Sequence, residues 1–230
     1  MCGIVGLHLK NPALHGQLGS LLAPMLDCMT SRGPDSAGLA LYHDEGARTV
    51  MDVYKDVGLP KEICARYDIA SRTGFQGIGH TRMATESAVT TEHSHPFTPT
   101  EQLALVHNGS FSNHATIRRR LVREGHVFDT DNDSEVAARY IADQMTKGAD
   151  LDDAMRMVLK EFDGFFTLLV TTSSQFAVLR DSFACKPAVV AETADYVAFG
   201  SEYHALASLP GLAEATVFEP SPEVVYTWSR

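Results

Sequence analysis

Met1-Cys2-Gly3-Ile4-Val5-Gly6 opens the chain, and the cysteine in second place frames the reading of everything after it. An initiator methionine before so small a residue is normally trimmed, which would leave Cys2 as the N-terminus. One residue then carries both a thiol and a free α-amine. An α-amine titrates at about 8 and a thiol at about 8.5, so the amine can take the thiol's proton near neutral pH. This is the N-terminal-nucleophile arrangement, which needs no separate histidine base. A cysteine that merely happens to begin a first strand remains the alternative on these six residues alone.

The 230 residues fit one fairly large domain, 1–230. Hydrophobic content of 44% with 21% charged residues is ordinary for a globular chain with a real core. With 19 basic and 29 acidic residues the net charge is −10, which argues against nucleic acid or an anionic membrane as partner. The one basic cluster, Arg118-Arg119-Arg120 with Arg123, reads as a solvated helix face or a subunit contact. The start lacks a basic stretch followed by an apolar core, and no apolar run reaches membrane-spanning length. A cytoplasmic location is therefore expected, with Cys28, Cys64 and Cys185 as reduced, mostly buried thiols.

Outward from the opening strand, Leu18, Leu21, Leu22, Met25, Leu26 and Met29 recur at helical spacing, ending before Arg32-Gly33-Pro34. Strands are expected at 37–42, 75–81 and 103–107. Ser112 can cap a helix running to Arg123, Ser134 or Asp133 one running to Met145, and Asp150 a third. Beyond it, 165–171, 176–180, 188–191 and 197–199 read as short strands between turn residues. Strands cluster at both ends, with helices between or beside them. That favours an α+β fold of two mostly antiparallel sheets with helices outside, over a βαβ array.

A thiolate attacking an amide needs donors for the oxyanion and a clamp for the substrate. His107-Asn108-Gly109 follows an apolar strand, and an amide side chain with a glycine N–H can cradle an oxyanion. On that motif alone the turn reading prevails, since Asn-Gly is the commonest hairpin dipeptide. Arg82, in Gly79-His80-Thr81-Arg82-Met83-Ala84-Thr85, can hold a carboxylate by a bidentate fork, or form a surface ion pair. Asp133 is a helix N-cap, an acceptor for an ammonium group, or both. Asp129 to Glu135 superficially suggests a calcium loop, but Ser134 replaces the turn glycine and Tyr140 stands where the bidentate glutamate belongs. The histidines at 80, 93, 95 and 107 match no metal spacing, and His93 with His95 reads as part of a polar loop. No Walker or GxGxxG loop is present, so no nucleotide site is expected.

Together, Cys2-Gly3-Ile4, Arg32-Gly33-Pro34-Asp35-Ser36-Ala37-Gly38, Gly79 to Thr85, His95-Pro96-Phe97, His107-Asn108-Gly109 and Asp133-Ser134-Glu135 stand in the order of the class II glutamine amidotransferase domain. Arg180-Asp181, Lys186-Pro187 and Gly200-Ser201-Glu202 match its second half. The chain resembles that family over essentially its whole length. The resemblance implies an N-terminal-nucleophile hydrolase fold, an αββα four-layer sandwich. It implies Cys2 as nucleophile and, through its amine, base, with Asn108 and Gly109 as the oxyanion hole. Arg82 would hold the glutamine α-carboxylate with Thr85 nearby, Asp133 the α-ammonium, and Arg32 would orient the N-terminus.

Met83 stands where relatives often carry Trp or Tyr, and Glu86 where many sugar-phosphate-linked members have His. Both argue against a hexosamine-phosphate or phosphoribosyl enzyme. The strings 79–87 and 181–187 look more like the free-standing amidotransferase subunit of split glutamate-synthase-like enzymes, of which N-methylglutamate synthase is one. That resemblance implies a glutaminase subunit feeding ammonia to a flavoprotein partner in a hetero-oligomer. FMN and an iron–sulfur cluster would lie in the partner, with no cofactor or metal in this chain. A self-sufficient amidase on γ-glutamyl or other small amides, and a non-catalytic assembly subunit, are the other two readings.

Overall fold

The computed structural model describes residues 2–83 and 88–230. β1 (Gly3–Leu9) is buried along its whole length, as a continuous apolar run implies for a strand covered on both faces. It lies inside a seven-stranded sheet with β2 (Ser36–Glu45), β3 (Arg48–Val57), β4 (Gln76–Arg82), β9 (Val189–Glu192), β10 (Tyr196–Gly200) and β11 (Thr216–Phe218). The order is β11-β9-β10-β1-β4-β2-β3. A second sheet holds β5 (Phe97–Thr100), β6 (Leu103–Phe111), β7 (Gly164–Thr171), β8 (Gln175–Arg180) and β12 (Tyr226–Ser229), in the order β12-β8-β7-β6-β5. Every described pairing is antiparallel.

Side-chain alternation sorts these strands into layers. Ile4, Ile78, Val106, Leu169, Phe176 and Phe199 turn inward and form the core between the sheets. Their neighbours Val5, Leu7 and Leu39 turn outward onto Leu18, Leu22, Met25 and Leu26 of α1 (Leu18–Asp27) and Ile63 of α2 (Pro60–Arg66). On the second sheet Leu105, Phe111 and Leu168 pack against α3 (His114–Arg123), α4 (Asp133–Thr146) and α5 (Leu151–Glu161) through Ile117, Ile141 and Met155. The result is the expected helix–sheet–sheet–helix sandwich.

Several expectations need correction. β6 runs on through Asn108-Gly109 to Phe111, so this Asn-Gly is part of a strand and not a hairpin turn. Asn113, not Ser112, stands at the N-cap position of α3; the Ser112 hydroxyl donates to the Asp163 carbonyl instead. α4 is capped by Asn132, whose side chain accepts from Ser134 N at 2.9 Å, which puts Asp133 in the first turn. β3, β5, α2, β11 and β12 were not anticipated. The four cysteines are free; Cys28 and Cys64 are only half-buried and Cys185 is exposed, against the expectation of mostly buried thiols. The Asp150 cap on α5 is as expected, accepting from Asp153 N at 2.8 Å.

Candidate active site

Ile4 faces the space between the sheets, so Cys2, two residues earlier on the same strand face, turns the same way at the sandwich's end. The β1–β4 register pairs Gly3 with Thr81, and one step further sets Cys2 beside Arg82. Val106 faces the same space from β6, and so therefore does the Asn108 side chain. Three strand ends from two sheets thus meet at one place. A cavity of about 570 Å³ opens there, lined by Cys2, Arg82, His107, Asn108, Gly109 and Asp133 among others.

The Cys2 backbone is firmly held. Its carbonyl accepts from Asn108 Nδ2 at 3.1 Å and from Arg32 Nε at 3.0 Å. Arg32 is itself oriented by Glu202, Nη1 to Oε1 2.6 Å. Next along the strand, Ile4 exchanges hydrogen bonds with Ser201, each at 2.9 Å. The Cys2 thiol lies 3.9 Å from the Met83 carbonyl. Arg82 is buried and donates from Nη1 to the Ala88 carbonyl at 2.9 Å.

Backbone pairing explains which way Gly109 faces. Phe166, its register partner on β7, directs both of its own backbone groups to Asp181 on the β8 side. The Gly109–Phe166 pair is therefore non-hydrogen-bonded, and Gly109 turns its N–H away from β7. Two residues on, Phe111 N points to that same side and donates to Asp133 Oδ2 at 2.9 Å. Gly109 N–H consequently faces the cavity. The second hydrogen of the Asn108 amide is not used by Cys2, since an NH2 group offers two donors.

Asp133 sits at the other wall. Besides Phe111 N, it accepts from Ser134 Oγ at 3.2 Å, and Ser134 Oγ is 2.8 Å from His107 Nδ1. A carboxylate has about four lone-pair sites, so Asp133 keeps capacity for a cation. Asp131, at the same wall, is bound by His93 at 2.9 Å, which holds its carboxyl below the usual range.

Cys2, Arg82, Asn108, Gly109 and Asp133 thus meet at one cavity, with Arg32 holding the Cys2 carbonyl from behind it. Thr85 and Glu86, like Met1, lie outside the described residues. His95 lies in the polar loop ahead of β5 as expected, but its ring is buried and stacked on His80 at a separation of 4.0 Å. Sequence reasoning gave no role to Ser201, Glu202, His107, Phe165 or Lys186. Ser201, Glu202 and Lys186 were noticed in motifs, but nothing local signals where residues so far along the chain come to lie; Phe165 was read only as the start of a strand.

Among the described residues one His/Asp/Glu cluster has metal-like spacing, Glu124, His126 and Asp143. Lys147 already fills it, 2.8 Å from Glu124 and 2.6 Å from Asp143. A smaller cavity of about 240 Å³ lies beside Lys55. Its cations are engaged: Lys55 donates to the Ser94 carbonyl at 3.0 Å, and Arg139 pairs with Glu135 and Asp129 at 2.7 and 2.6 Å.

Comparison with known proteins bears on the family and the fold. A family described as "Glutamine amidotransferase domain" matches residues 80–208. The glutamine amidotransferase-like protein GlxB of Rhizobium meliloti is 45% identical, covering 100% of this chain and 99% of that protein. Glutamine–fructose-6-phosphate aminotransferase of Streptomyces coelicolor is 36% identical over 83% of this chain, but only 30% of its own length is matched. Among solved structures, the B. subtilis glutamine PRPP amidotransferase superposes with a TM-score of 0.79 at 24% identity. It covers 99% of this chain, which spans 49% of that one, and it shares the two-sheet fold. Taken with a relative that aligns from end to end, the matched domain makes this chain a member of the class II glutamine amidotransferase family.

Proposed function

We propose that this chain hydrolyses the carboxamide of glutamine with Cys2 as nucleophile and passes the ammonia to a separate synthase subunit. The observation that carries the reading is the meeting of Cys2, the Asn108 amide and Gly109 N–H at one cavity, with a cation and an anion on its walls. Glutamine has matching ends: its α-carboxylate suits the Arg82 guanidinium and its α-ammonium suits Asp133. With Met1 trimmed, the Cys2 α-amine takes the thiol proton, and sulfur attacks the side-chain carbonyl carbon. The oxyanion formed receives Gly109 N–H and the second Asn108 Nδ2 hydrogen. Collapse breaks the C–N bond as the amine returns its proton to the leaving nitrogen, releasing ammonia and a γ-glutamyl thioester. Water then attacks the thioester, giving glutamate and restoring the thiol.

The partner we favour is a glutamate-synthase-like flavoprotein of the N-methylglutamate synthase type, carrying FMN and an iron–sulfur cluster. Two supports stand behind it: the 79–87 and 181–187 strings resemble such split subunits, and ammonia released into water is protonated and diluted. Glutamate formation from glutamine, assayed with and without co-expressed products of neighbouring genes, tests both halves. Activity lost in Cys2→Ala is expected. A monodisperse monomer that hydrolyses glutamine at full rate and binds none of those products would refute the partner while leaving the glutaminase intact.

A further inference from the structure

His80 on β4, His95 ahead of β5 and His107 on β6 lie buried beside the cleft. Burial depresses all three, His80 to about 3, so the rings are neutral at pH 7. His80 is singled out by one contact: its Nε2 lies 3.1 Å from the His107 backbone carbonyl. A carbonyl only accepts, so Nε2 carries the proton and Nδ1 is bare. Buried Nδ1 has no hydrogen-bond partner, so the cross-sheet bond is the ring's one polar contact.

Strand topology shows why that bond matters. β5 pairs with β6 at Leu105, opposite Phe97, and ends there. The backbone groups of His107 face that side, because its register partner on β7, Leu168, is two residues from Phe166 and so makes the same non-bonded kind of pair. Among the described residues no strand remains to receive the His107 carbonyl. His80, reaching across from the other sheet, takes the place of the missing strand. The carbonyl belongs to the peptide that leads directly into Asn108, and the next N–H on that edge is Gly109's.

We propose that His80 is a positioning residue for amide cleavage: its Nε2–H fixes the His107 carbonyl and so aims the Asn108 side chain and Gly109 N–H at the oxyanion. This deepens the glutaminase reading and rests on it. Together with Asn108 to Cys2, the His80 contact makes a second polar stitch between the sheets at the reacting end. Removing it leaves a buried carbonyl unpaired and lets the Asn108 peptide rotate.

The test compares His80→Leu with His80→Gln, whose Nε2 also donates. In His80→Leu we expect kcat for glutamine to fall about tenfold to a hundredfold, with KM within about twofold because Arg82 and Asp133 are untouched. His80→Gln should recover most of that rate. Alkylation of Cys2 by iodoacetamide, a displacement that builds no oxyanion, should proceed at the wild-type rate in both. A wild-type kcat in His80→Leu, a loss confined to KM, an equal loss of alkylation, or an equally poor His80→Gln would each overturn the proposal. Should His80→Leu not fold, long-range ¹H–¹⁵N correlation on the wild-type protein decides. The Nε2–H tautomer of His80 is expected at pH 7, and the Nδ1–H tautomer overturns the role. Failure of the glutaminase reading looks different: the wild type would hydrolyse no glutamine, with or without a partner, although the Nε2–H tautomer is present.

Discussion

Gly109 has a φ of +148°, and a Cβ placed there would lie 2.1 Å from the Phe165 carbonyl and 2.7 Å from Phe166 Cα. Neither neighbour is a flexible side chain, so Gly109→Ala must push β6 off β7 and move the N–H that faces the cleft. We expect glutamine hydrolysis to fall at least about a hundredfold and stability by about 1–3 kcal/mol, read by turnover and thermal unfolding. Wild-type turnover in that variant would remove Gly109 from the mechanism. Selectivity of labelling is a second residue-scale expectation. Burial pushes the Cys64 thiol up to about 11 and raises Cys28 as well, which keeps both protonated at neutral pH. Cys185 is exposed and precedes Lys186 on the cavity wall, but it has no α-amine to take its proton. A glutamine-analogue electrophile should therefore mark Cys2 alone; a label on Cys185 that persists in Cys2→Ala would refute the assignment. Molecules shown by intact mass to retain Met1 should turn over glutamine poorly, since their α-amine is one residue away. These side chains were legible because their types suit the chemistry and their motifs kept order. Gly109 in isolation was not: Asn-Gly spells a turn unless a strand on either side already pins it.

At the scale of elements, α4 and α5 offer a matched pair of caps. Asn132 accepts from Ser134 N, and Asp150 from Asp153 N. Replacing either by alanine should cost about 1 kcal/mol of stability. Only Asn132→Ala should also raise KM for glutamine, because the turn it fixes carries Asp133 to the cavity wall, whereas α5 begins away from it. Equal KM values in the two variants would show that Asp133 is held by Phe111 N and Ser134 alone. The Asp150 cap was legible because the apolar positions after it, Leu151, Ala154, Met155 and Val158, keep strict helical spacing and are all buried. β3 was not legible. It is an edge strand whose residues are mostly only half-buried, with Val53 and Val57 exposed. With no fully covered face, nothing enforces the alternation by which strands are recognised. The end of β6 was hidden for the opposite reason, a turn-forming dipeptide held straight by its neighbours.

For the whole molecule, the neutral histidines tie stability to pH. In the unfolded chain each titrates near 6.5, while in the fold burial lowers all three, His95 well below that value and His80 to about 3. Below about pH 6.5 the unfolded state therefore binds more protons, and stability falls as pH drops toward that lower value; above 6.5 these groups contribute no slope. Each histidine adds at most about 1.4 kcal/mol per pH unit. Urea midpoints should decline between pH 7 and pH 5, and His80→Gln should shed roughly one histidine's share of the slope. A midpoint that does not move over that range would contradict the burial of all three rings. The layer order itself escaped periodicity, because it depends on which strands become neighbours. That pairing has a temporal side. β1 lies between β4 and β10, so one of its flanking partners, residues 196–200, leaves the ribosome some 190 positions after it. At 5–20 residues per second the first strand waits roughly 10–40 s for its sheet to close. During that interval the chain's start is open to the aminopeptidase that would free the Cys2 amine. In the mechanism proposed above the centre would therefore be processed early and assembled late, so that a half-made chain carries the Cys2 thiol with no cleft beside it.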